Sequence, residues 1–155
     1  MKVTDMAMED LAQILKLQME SGGLARLVVT GNSMYPTLRH KKDVVFLSPV
    51  QTPLKKGDLI LYQRENGQYV LHRIVKKPQA DHLICCGDNQ WEQEIVYPAQ
   101  VVAIVHKFLK NGKTHRVDDF GCRLWVGFWV STFPLRRLLL AIRRRLGRLR
   151  RKFRK

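Results

Sequence analysis

Gly31-Asn32-Ser33-Met34-Tyr35-Pro36-Thr37-Leu38 sets one serine in a tight turn directly after an apolar run, Leu27-Val28-Val29. Gly31 and Asn32 tolerate the unusual backbone angles such a turn needs, and Pro36 restricts the chain as it leaves. The run before it reads as a strand, so the serine sits at a strand end. A hydroxyl there is inert without a proton acceptor. Downstream, Leu71-His72-Arg73-Ile74-Val75 places a histidine in a second apolar stretch, and Gly87-Asp88-Asn89 places a carboxylate in a turn. Serine, histidine and aspartate follow one another, each in a distinct local setting.

Working outward, strands are expected near residues 26–30, 43–48, 58–63, 68–76, 82–86 and 100–108, where apolar and β-branched residues cluster. Turn signals separate them at Gly31-Asn32, Ser48-Pro49, Lys56-Gly57, Asn66-Gly67 and Gly87-Asp88. The Asn66-Gly67 dipeptide predicts a tight hairpin pairing residues 58–65 with 68–76. Residues 5–20 read as a helix: Asp5 can cap it, Met8, Leu11, Ile14 and Leu15 form its apolar stripe, and Gly22-Gly23 end it. The expected fold is mainly β, an antiparallel coiled sheet with an N-terminal helix and a C-terminal basic amphipathic helix. The expected division is 1–23 (helix), 24–119 (β domain) and 120–155 (tail).

These segments together resemble the signal peptidase I family, serine peptidases that remove leader sequences and are related to the self-cleaving repressors. The family's serine box reads roughly Gly-x-Ser-Met-x-Pro-Thr, and residues 31–37 match it at every fixed position. Gly57-Asp58-Leu59-Ile60-Leu61-Tyr62, Tyr69-Val70-Leu71-His72-Arg73-Ile74-Val75 and Gly87-Asp88-Asn89 resemble its remaining boxes. The resemblance covers about residues 26–106. Typical bacterial members carry a lysine where this chain has His72, so it resembles the histidine-using branch of the endoplasmic reticulum, archaea and some Gram-positive bacteria. The resemblance implies a serine endopeptidase acting on signal or leader peptides.

In that reading Ser33 is the nucleophile and His72 the general base, since a side chain with a reference value near 6.5 is mostly neutral at neutral pH. Asp88 is expected to orient His72 and to stabilise the cation that forms. The backbone N–H groups of Gly31 and Ser33 are the candidate oxyanion donors. Met34 and Tyr35 are expected to form part of a surface against which an extended peptide or preprotein adds as a strand. Lys76 and Lys77 are the competing bases, as in a serine–lysine dyad, but His72 occupies the matching position. Arg73 should point to the face opposite His72 and act structurally, while Asp58 ties down a turn. No Cys/His spacing suits zinc and no phosphate or calcium loop occurs, so no metal or cofactor is expected.

The formal charge of +15 suggests a nucleic-acid binder until it is located. Residues 136–155 hold 11 Lys or Arg and no acid, which leaves 17 bases against 13 acids elsewhere, a body of only +4. From Pro134 onward, Leu135, Leu138, Leu139, Ile142, Leu146, Leu149 and Phe153 fall on one helical face among arginines. Ahead of them, residues 124–135 are nearly all apolar or aromatic, but as a helix they extend only about 18 Å, short of a hydrocarbon core of roughly 30 Å. A spanning segment is therefore not expected. The tail suits an acidic membrane surface, with nucleic acid the weaker alternative, and a non-catalytic binding module built on that tail is the competing function. Residues 1–20 lack the long apolar run of a secretory signal. Cys85, Cys86 and Cys122 are expected as reduced thiols, so the chain should be peripheral on the cytoplasmic face of a membrane or cytoplasmic.

Overall fold

The structure, a computed structural model, describes residues 13, 15, 17, 18, 22–50, 52–76 and 78–132. Gln13, Leu15, Leu17 and Gln18 are helical; the rest of the expected N-terminal helix, and the amphipathic segment from Pro134, lie outside the described residues. Eight strands follow: β1 (Ala25–Val28), β2 (Val44–Ser48), β3 (Leu59–Gln63), β4 (Tyr69–Ile74), β5 (Leu83–Cys86), β6 (Glu94–Val96), β7 (Val101–Lys110) and β8 (Lys113–Arg116). One helix, α1 (Phe120–Ser131), comes after them. The strands form one antiparallel sheet in the order β1-β2-β7-β3-β4-β5-β6, with β8 paired to β7.

β7 explains how so few residues make a curled sheet. It pairs with β2 at one end and β3 at the other, and the register slips in each pairing. Leu47 faces Val105 where His106 would continue the ladder, and Tyr62 faces Val101 where Val102 would. Each slip is an extra residue in β7, which bends the strand and increases its twist. The curl lets both faces of β3 be buried, so Leu59-Ile60-Leu61-Tyr62 is apolar without alternation. Leu59 and Leu61 join a core with Leu15, Met34, Leu38 and Val105; Ile60 and Tyr62 join a second with Ile74, Leu83 and Val96.

The expected mainly β architecture is the one observed. β6 and β8 were not anticipated: three residues are too few to show a period, and Lys113-Thr114-His115-Arg116 is polar throughout. The Asn66-Gly67 turn does close the β3–β4 hairpin, but as a three-residue loop in which Arg64 N–H donates to Gln68 O and Gly67 N–H donates to Arg64 O. The apolar run beginning at Leu124 is helical as far as Ser131 among the described residues, in a helix that starts four residues before the run. Cys85 and Cys86 are both fully buried, and no disulfide joins them or Cys122. No helix of the described residues is long and apolar enough to cross a membrane.

Candidate active site

β1 delivers the serine turn as its sequence suggests. The turn folds back on itself through Tyr35 N–H to Asn32 O and Leu38 N–H to Met34 O, and Gly31 takes the positive φ of 80° that its position requires. Ser33 is partly exposed. Two anchors hold the turn to the body. Lys110 Nζ, at the end of β7, donates to Pro36 O at 2.7 Å and Thr37 O at 2.8 Å. On the other side, Asn89 N–H donates to Ser33 O at 2.6 Å and Asn89 Nδ2 to Asn32 O at 3.1 Å.

His72 lies in β4 opposite Ile60 of β3, buried on the face of the second core. Its Nε2 edge meets the serine turn at Gly87. A Cβ added to Gly87 would stand 2.7 Å from Ser33 O, 2.7 Å from Gln90 Oε1 and 3.1 Å from His72 Nε2. The Ser33 carbonyl is backbone and cannot give way as the Gln90 side chain can, so the missing Cβ is what lets the serine turn and the imidazole both approach Gly87. Glycine is needed here for space.

The other imidazole nitrogen is held by residues the sequence reading missed. Tyr62 OH lies 3.2 Å from His72 Nδ1 and donates to Glu94 Oε2 at 3.0 Å. Since that hydroxyl proton goes to Glu94, the Tyr62 oxygen is left to accept, which assigns the proton to Nδ1 and the lone pair to Nε2. Glu94 Oε1 is itself 3.6 Å from Nδ1. Arg64 fixes Glu94 in turn, donating from Nε to Oε2 at 2.8 Å and from Nη2 to Oε1. Glu94 was overlooked because it lies 22 residues beyond His72 in a three-residue strand. Its only local signal is a carboxylate beside Ile95 and Val96.

Burial drives the His72 imidazole down to about 4; Glu94 pulls it up, Arg64 pushes it down and Asp88 raises it, and burial wins. Burial also raises Glu94, yet its hydrogen bonds from Arg64 and Tyr62 hold it below its ordinary value. Burial, the Glu94 charge and the hydrogen bond to Glu94 raise the Tyr62 phenol. The site is therefore a neutral imidazole beside a charged carboxylate at neutral pH.

Asp88 stands elsewhere than expected. Its carboxylate takes Arg73 Nε at 2.9 Å and Nη2 at 2.8 Å, and Thr37 Oγ1 donates to Oδ2 at 2.5 Å. Successive strand residues point to opposite faces, so His72 and Arg73 diverge, and Asp88 falls on the Arg73 side. A guanidinium binds both carboxylate oxygens, which a neutral imidazole cannot do. Arg73 Nη1 also donates to Gly57 O at 2.8 Å, in keeping with the structural role expected of it. Asp58 accepts from Lys55 N–H at 2.7 Å and ties a turn, also as expected.

Two further placements differ from expectation. Gly31 N–H donates to His40 Nδ1 at 2.8 Å, which leaves Ser33 N–H as the remaining candidate oxyanion donor. Met34 is 2 % exposed and packs into the first core, so it lines no surface, while Tyr35 beside it stays half-buried. Lys76 is exposed, and Lys77 lies outside the described residues. Among the described residues no group of three or more His, Cys, Asp or Glu could hold a metal.

A neutral imidazole with one nitrogen fixed by a phenol and a carboxylate, and the other close to the Gly87 Cα that the Ser33 backbone carbonyl also approaches, is the kind of arrangement nucleophilic acyl transfer uses. The comparison with known families agrees with that chemistry. A family model described as Peptidase S24-like matches residues 3–109, from near the N-terminus to the end of β7, and the chain belongs to this family. Membership suggests a serine peptidase or a self-cleaving repressor. No curated protein matches the sequence.

Proposed function

We propose that this chain is a serine endopeptidase that cleaves signal or leader peptides in the manner of signal peptidase I, with Ser33 as nucleophile and His72 as general base. The observation that carries the reading is the convergence of the Ser33 turn and His72 Nε2 on the bare Cα of Gly87. In the reaction, Ser33 Oγ attacks the scissile carbonyl while Nε2 accepts its proton. Ser33 N–H donates to the oxyanion. The imidazolium returns the proton to the leaving amine, and a water then hydrolyses the acyl-enzyme with His72 again as base. Glu94, close to Nδ1, supplies the charge that the buried imidazolium needs, and Tyr62 keeps the tautomer. Asp88 serves the fold of the site rather than the proton.

The preference for leader peptides over self-cleavage rests on the signal-peptidase-like serine and histidine boxes, since repressors of this family pair the serine with lysine. The test uses the pure chain with a panel of leader peptides, the products read by mass spectrometry. Cleavage is expected at one bond in a leader, with the chain itself intact. Ser33→Ala should abolish it without changing the melting curve, and undiminished turnover by that variant excludes Ser33. Cleavage of the chain alone would assign it to the self-cleaving group.

A further inference from the structure

We propose that the outer face of α1 docks on an anionic lipid bilayer and holds the β domain against it. The helix has two unlike faces. One turns to the domain: Val130 is buried, Val126 Cγ1 stands 2.7 Å from where a Gly57 Cβ would lie, and Trp125 Nε1 donates to Thr37 Oγ1 at 3.2 Å. The other carries Phe120, Leu124 and Phe128 at i, i+4 and i+8, which are 76, 58 and 61 % exposed. Trp125 stacks on Trp129 along its flank at 5.1 Å. Large apolar side chains aligned along one exposed helical face mark an interaction surface rather than scattered surface residues.

Charge selects the occupant. From α1 the chain runs on to residues 136–155, with 11 Lys or Arg and no acid. Anionic headgroups take those cations, the boundary of the hydrocarbon takes phenylalanine and leucine, and tryptophan belongs between them. A second copy of the chain would bring a second set of the same cations and repel. A nucleic acid would satisfy the cations but leave Leu124 in water. Stacking on bases also favours aromatics interleaved with cations, and α1 contains only Arg123. With no described helix able to span, the contact is along the surface. This face lies beyond the family match and stands independently of Ser33 chemistry. The Trp125–Thr37 bond ties it to the segment that carries Ser33, so a docked domain keeps that segment at the membrane.

The test is flotation of the full chain with vesicles of phosphatidylcholine alone or with phosphatidylglycerol added, together with tryptophan emission. Flotation and a blue shift are expected with the anionic vesicles alone. Phe120→Ser/Leu124→Ser/Phe128→Ser, all exposed, should melt as the parent does and lose about tenfold or more in partitioning. Ser33→Ala should float as the parent does, whatever becomes of cleavage. Parent-like partitioning of the triple variant would overturn the proposal. So would a parent chain that ignores anionic vesicles, whether or not it is retained on RNA.

Discussion

His72 carries the proton chemistry of the proposed reaction, and burial decides how it behaves. An ordinary histidine would give an activity rising near pH 6–7, as the sequence alone suggests. With the imidazole lowered to about 4, the base form persists well into acid. Cleavage should therefore stay level from neutral pH to roughly pH 5 and fall to half near the value of His72. A pH–rate profile of kcat/KM measures this directly, and a limb centred near 6.5 would contradict it. Tyr62→Phe removes the acceptor at Nδ1 while keeping the ring in the second core. It should lower kcat about tenfold or more, with little change in KM. Glu94→Gln in the same assay should move the acid limb lower still, because the charge that raises His72 is gone. A merely structural Tyr62 would alter melting without touching that profile.

At the scale of the element, the turn after β5 does three jobs with three residues. Gly87 makes room, Asp88 binds Arg73 and Thr37, and Asn89 grips the serine turn. The buried Arg73–Asp88 pair therefore joins β4, the β5 turn and the serine box. Removing the carboxylate strands a buried guanidinium, at a cost of about 3–5 kcal/mol. Asp88→Ala should show this as a lower midpoint in urea, and an unchanged midpoint would mean that the pair is not closed in solution. Much of this turn was legible, since Gly87-Asp88-Asn89 stands out as a unit. Its roles were not, because a carboxylate's partner depends on which strand face it meets. Met34 shows the same limit: its place beside the serine says nothing of which side faces the core.

Over the whole molecule, the lowered imidazole links folding to pH. In the unfolded chain His72 titrates near its reference value of about 6.5. The folded group titrates lower, at about 4. Between the two, the unfolded chain binds the extra proton, so stability is full above pH 6.5 and falls as pH drops toward 4. The loss reaches at most about 3 kcal/mol, from ~1.4 kcal/mol per unit. His72→Gln should remove this slope, seen as the difference between the two chains' unfolding free energies at pH 7 and pH 4.5. A parallel decline in both would assign the acid lability to other groups.

What the amino-acid order determined by itself was local. The runs that become β1 to β5 and β7, the turns between them, the serine and histidine boxes and the concentration of charge beyond residue 135 can all be read along the chain. Each depends on neighbours within a few residues. Only the tertiary structure decided that β7 bends through two bulges to bury both faces of β3. It alone brought Glu94 to His72 and Asp88 to Arg73, gave the Gly31 amide to His40, and left one face of α1 exposed. Those outcomes turn on strand register and on which face each side chain meets, and a shift of one residue exchanges the faces.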